Sequence, residues 1–151
     1  MRIALLFHLW GVVVWVGGMF FAYMALRPAA AELLAPEQRL PLWAATFRRF
    51  FLWVWISIVA ILVSGFAMTG MLSGLGAVPR HVYLMMALGA VMMTIFAWVF
   101  MSPYPRLCQA VELQEWKTAG QALARIRVAV AVNLSLGLLT IAVALLGPML
   151  G

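Results

Sequence analysis

The sequence predicts an all-α protein, a bundle of four transmembrane helices, and three observations carry that reading. Of 151 residues, 67% are hydrophobic and only 9% are charged, against roughly 25% charged in an ordinary soluble domain. A compact soluble domain of about 150 residues still exposes roughly a third of its unfolded-chain surface, so this much apolar side chain has no water-facing place to go. The apolar residues fall into four long runs, each near the roughly 20 residues that a helix needs to cross a bilayer. The basic residues gather between alternate runs. Composition thus excludes a free cytoplasmic enzyme and a disordered tail. Cys108 is the single cysteine, so an intrachain disulfide scaffold is excluded too.

The first span covers residues 3–26, with His8 as its only ionisable side chain apart from the Tyr23 phenol. It exceeds the apolar core of a cleaved signal, about 15 residues at most, and so reads as a retained span. The second span covers about residues 50–72 and the third about 82–101, both without charge. The fourth covers about 128–146, with Asn133 its most polar member. Within lipid every backbone group must be paired inside its own segment, which requires helices, and no period-2 alternation suggests a barrel. The expectation is one integral membrane domain over residues 1–151.

Between the spans, Pro28, Pro36 and Pro41 break up a first loop that has room for a short interfacial helix. Pro103 and Pro105 stop the third helix, and residues from about Ala110 to Trp116 read as a further surface helix. The fourth helix starts early, near Gly120, so that Arg125 and Arg127 snorkel from its end. Gly70, Gly74, Gly76 and Pro79 make the remaining loop a flexible turn.

The formal net charge of +6 resolves into a topology rather than a nucleic-acid signature. Arg27, Arg39, Arg48 and Arg49 follow span one, and Arg106, Lys117, Arg125 and Arg127 follow span three. Only Arg2 and Arg80 lie on the other side. The positive-inside rule then sets both long loops in the cytoplasm and both termini outside, which for a bacterial inner (plasma) membrane means periplasmic.

Candidate chemistry collects on the outer side. An ionisable side chain inside a span is a functional-site hypothesis by default. His8 is such a residue, about 7–8 Å into its span at 1.5 Å per residue. His81 opens span three, where a histidine can also simply face water and headgroups. Of 11 methionines, Met1, Met68, Met71, Met85, Met86 and Met149 belong to the same side. Met85 follows His81 by four residues and shares its helix face. Thioether sulfur suits Cu(I), and imidazole suits copper as well. His8, His81, Met85 and Met68 are therefore candidate copper ligands in one outer-leaflet layer, with gap-filling packing the alternative for each methionine. Met19, Met92, Met93 and Met101 lie deeper and would form a route inward.

The same histidines offer a second reading, a b-type haem with His8 and His81 as axial ligands. Gly11, Gly17, Gly18 and Ala22 would leave a cleft for the macrocycle or else serve close helix packing. Trp10, Trp15, Phe7 and Tyr83 would wall it or act as interfacial anchors. Asn133 reads as a helix-bridging residue. A Ser-His-Asp set, paired intramembrane carboxylates and a phosphate-binding glycine loop are all missing, so the sequence offers no catalytic set for a hydrolase. It reads as a binding or transport protein more readily than an enzyme; an enzyme here would be a haem-dependent oxidoreductase.

A family resemblance runs along nearly the whole chain. Trp15-Val16-Gly17-Gly18-Met19-Phe20-Phe21 after an early histidine, then Leu26-Arg27-Pro28, resembles the opening helix of the copper resistance protein D (CopD) family. Arg48-Arg49-Phe50-Phe51 leads to Ser64-Gly65. His81-Val82-Tyr83-Leu84-Met85-Met86-Ala87-Leu88 opens the third helix. Leu123-Ala124-Arg125-Ile126-Arg127 leads to Asn133-Leu134-Ser135-Leu136-Gly137-Leu138-Leu139. The resemblance implies a four-helix inner-membrane unit linked to copper uptake or homeostasis. Its expected partners are the lipid bilayer, a periplasmic copper-binding protein and a second copy of the chain as a homodimer. A more distant resemblance is to HemJ, the haem-containing protoporphyrinogen oxidase, whose third-helix His-Val-Lys pattern becomes His81-Val82-Tyr83 here.

Overall fold

The structure is a computed structural model that describes residues 1–71 and 78–150. Gly74 and Gly76, the side chain of Met71 and the predicted end of span two at Leu72 lie outside the described residues. The described chain is helical almost throughout, without strands. Helix α1 (Arg2–Phe21) passes through a π-helical turn (Ala22–Leu26) into α2 (Arg27–Leu33). Then come α3 (Pro36–Met71), α4 (Arg80–Met101), α5 (Pro103–Glu112) and α6 (Trp116–Leu150). Four helical stretches are long and apolar enough to cross a membrane, as the four runs predict.

The bundle is two antiparallel hairpins. In the first, α1 packs against α3: Gly11 meets Ile61 and the Ser57 carbonyl, and Gly18 lies under the Phe50 ring. In the second, α4 packs against α6, with Gly137 facing Met92 and Gly147 facing His81. Small residues are what allow backbones to approach this closely in lipid, where apolar surface gives no drive toward association. An aromatic cluster joins the hairpins. The Phe96 ring of α4 lies 6.1 Å from Trp15 of α1, and 5.3 and 5.2 Å from Phe51 and Trp55 of α3. These contacts are edge-on, the geometry that aromatic quadrupoles prefer.

Outside this core the surface is apolar. Ile3, Leu6, Val13, Val63 and Val128 are among many large hydrophobic side chains left exposed. The only buried polar side chains among the described residues are Ser57, Ser64, Thr69 and Asn133. Apolar outside and inside alike, the helices make a multi-pass membrane protein in contact with the lipid bilayer.

The prolines act differently from the loop-breaking role the sequence suggests. Pro36 opens α3, where a missing N–H costs nothing, and Pro28 follows directly on the π-helical turn, within a helical path that runs on from α1. The helical break between them is only Leu34–Ala35. Pro41 lies inside α3 and removes one ladder hydrogen bond without ending the helix. At 36 residues, α3 is about 54 Å long at 1.5 Å per residue, against roughly 30 Å of hydrocarbon. The excess lies beyond Arg48 and Arg49, at the basic end. There α5 packs onto α6 through Leu107, Ala110, Ala119, Ala122 and Ile126, all buried. The surface helix expected near Ala110 to Trp116 is instead Pro103–Glu112, closed by Gln114 at φ 56°. The Glu115 N–H donates to the Ala110 carbonyl and the Gln114 N–H to Val111, which is a Schellman cap. The last helix then begins at Trp116 rather than Gly120.

Candidate functional site

His8 lies two turns into α1 and is half-buried against α3. Its Nδ1 is 3.1 Å from the Ser64 hydroxyl oxygen. Ser64 in turn donates to the Ala60 carbonyl one turn back, with the Ile61 carbonyl 3.2 Å away as a shared acceptor. A hydroxyl has one hydrogen and two lone pairs. With its hydrogen committed to its own helix, Ser64 accepts from His8, and His8 Nδ1–H is the donor. With the proton on Nδ1 the imidazole is neutral and its Nε2 carries the lone pair. A second hydrogen bond that orients an imidazole in this way is the usual support for a metal-ligating histidine.

Gly65 lies beside the ring, where a Cβ would be 3.7 Å from His8 Cε1, ordinary contact distance. Met68 falls on the same α3 face as Ser64, one turn nearer the terminal end, and is half-buried. The sequence singles out His8 but not Ser64 as its partner. The available signal is the set of three hydroxyls, Ser57, Ser64 and Thr69, in an uncharged and otherwise apolar span.

His81 is placed differently. It is the second residue of α4, at the very end of its helix, and its Cβ and Cγ rest against the bare backbone of Gly147 in α6. No hydrogen bond to it occurs among the described residues. Met85 lies one turn on and is half-buried, while Met86 is exposed. The structure therefore brings His8 to the α1/α3 seam and His81 to the α4/α6 seam. Among the described residues no hydrogen bond joins the two rings, and no cluster of three or more His, Cys, Asp or Glu side chains forms. Met1 and Met149 are largely exposed.

The small residues offered for a macrocycle cleft are mostly closed. Ile61 fills the space over Gly11 and Phe50 that over Gly18, so both serve the α1/α3 contact; only Gly17 faces open space. Of the deeper methionines, Met19 and Met92 are buried, Met93 is half-buried, and Met101 is 73% exposed on the outside of the bundle. Asn133 is buried, and its Nδ2 donates to the Met92 carbonyl at 3.2 Å, bridging α6 to α4. Its Oδ1 and the Ser57 hydroxyl have no hydrogen-bond partner among the described residues.

Four membrane-crossing helices, with a histidine in one hydrogen-bonded to a hydroxyl on another, define a class: a polytopic membrane protein. The chain matches the family model described as copper resistance protein D over residues 44–146. It belongs to the CopD family, and is by that membership a copper-handling membrane protein. The match takes in Met68, His81, Met85 and Asn133, while His8 precedes it. No curated protein and no solved structure matches the chain.

Proposed function

We propose that the protein takes copper into or across the inner membrane and holds it as Cu(I) through two half-sites, one on each hairpin. On the α1/α3 seam the ligands are His8 through Nε2 and Met68. On the α4/α6 seam, nearer the surface, they are His81 and Met85. Copper is the cargo, and soft thioethers with a neutral imidazole suit its reduced state. The observation that carries the reading is the His8–Ser64 hydrogen bond, which, with the proton on Nδ1, would present Nε2 to a metal within the spans.

The eight basic residues at one end of the bundle support an orientation with that end in the cytoplasm and the termini and histidines on the periplasmic side. A periplasmic copper-binding protein would then deliver cargo to His81 and Met85. A second copy of the chain would complete the passage beside one four-helix unit.

Metal analysis of purified protein tests the reading. Wild type retains copper after Cu(I) loading and desalting, and His8→Ala loses at least half of it. Unchanged copper in His8→Ala removes His8 from the site. The loaded protein is expected to be colourless; a Soret band would instead assign the histidines to haem.

A further inference from the structure

A second site lies at the opposite end of the bundle. A cavity of about 560 Å³ opens between the Ala22–Arg27 turn region, the extended first half of α3 and the start of α6. That volume is within the range of small-ligand pockets, roughly 300–1,000 Å³. Its floor is aromatic: Trp43, Phe47 and Phe51 are buried, with ring centroids 5.1 and 5.2 Å apart along the series. Its lining also holds four cations, Arg27, Arg39, Lys117 and Arg127, and no acidic residue.

These cations lack carboxylate partners. None of the four forms an ion pair among the described residues. Arg27 lies over the Tyr23 ring at 4.8 Å, and Arg39 is half-buried without a polar contact among the described residues. A partly desolvated guanidinium with no counter-charge is unfavourable unless an anion reaches it. The chain has only four acidic residues. All of them, Glu32, Glu37, Glu112 and Glu115, are exposed and absent from the lining. The cavity also sits where the apolar spans give way to Arg27 of α2, Arg39 of α3 and Lys117 of α6, the kind of boundary at which lipid phosphates are met.

We propose that this cavity binds one anionic phospholipid of the bilayer, its phosphate among Arg39, Lys117, Arg127 and Arg27 and part of an acyl chain over Trp43 and Phe47. Basic pockets between helices at a membrane boundary are suited to such headgroups. The site is independent of the copper reading, and its occupant would brace the extended halves of α3 and α6 against each other.

Native mass spectrometry of the detergent-solubilised full chain tests this, with phosphatidylglycerol and phosphatidylcholine added in turn. Wild type retains phosphatidylglycerol at least about tenfold better, the scale of discrimination that two juxtamembrane cations supply. The preference falls to near unity in the double variant Arg39→Gln/Arg127→Gln and survives in Arg2→Gln/Arg80→Gln, at the other end. Gly120→Leu adds a side chain where a Cβ meets nothing within 4 Å and fills the cavity with every cation intact, so retention drops severalfold. Equal retention of the two lipids by wild type overturns the proposal, and needs no variant to fold. Displacement by millimolar inorganic phosphate overturns it in favour of a free-anion site. Undiminished retention in Gly120→Leu overturns it in favour of lipid held only on the outer surface.

Discussion

The two hairpins each carry one histidine and hold it by different means. On the α1/α3 seam His8 is oriented by chemistry: Ser64 accepts its Nδ1–H, and Gly65 stands back at ordinary contact distance. On the α4/α6 seam His81 is positioned by shape: it has no hydrogen bond among the described residues, and Gly147 is pressed beneath its Cβ. The lesson is that similar residue pairs, a histidine beside a glycine across a helix contact, do unlike work. One seam presets a nitrogen, and the other sets how closely two helix ends approach.

The sharpest way to break this contrast is at the glycines. Gly147→Ala drives a methyl into His81 and forces α4 and α6 apart. It should cost about 1–3 kcal/mol, as overpacking does, read as a lowered unfolding midpoint in detergent. A midpoint equal to wild type would mean that the seam is not sterically set.

Ser64→Ala probes the other seam. Removing the group that orients a metal-ligating histidine typically weakens metal binding by roughly 10–100-fold. Competitive Cu(I) titration should show a loss of that size, with overall stability changed much less; undiminished affinity would separate Ser64 from the site.

Asn133→Ala removes a bridge within the α4/α6 hairpin. Polar links between membrane helices average about 0.6 kcal/mol, so thermal unfolding should show a small loss and copper binding should stay put. No loss is expected at Gly65→Ala. The new methyl meets His8 at contact distance only, and replacing a helical glycine gains up to about 1 kcal/mol in propensity. A midpoint at or slightly above wild type fits; a loss as large as that of Gly147→Ala would erase the distinction between the seams.

Much of the fold is legible in the sequence because lipid imposes a length. Runs such as Val82 to Met101 can only be spanning helices, and the family follows from the order of short motifs along them. The ends of the helices are harder to read. Pro28, Pro36 and Pro41 look like breakers, yet the helical path runs through Pro28 and Pro41 and starts at Pro36, so the expected loop shrinks to Leu34–Ala35. The candidate site is legible only in part. His8 stands out as an ionisable group in an apolar run. Its pairing with Ser64, 56 residues away, depends on the register of two antiparallel helices, which no local pattern encodes. Gly11 and Gly18 show the same limit: the sequence allows them a cleft or a contact, and only Ile61 and Phe50 decide for contact.

The central claim is that His8 presents a free Nε2 to copper. X-ray absorption at the copper edge of Cu(I)-loaded protein tests it most directly, on wild type and His8→Ala together. The expected result is mixed imidazole nitrogen and thioether sulfur around copper in wild type, with the nitrogen contribution reduced in His8→Ala. Identical spectra from the two proteins, or a wild-type site without nitrogen, would contradict the claim.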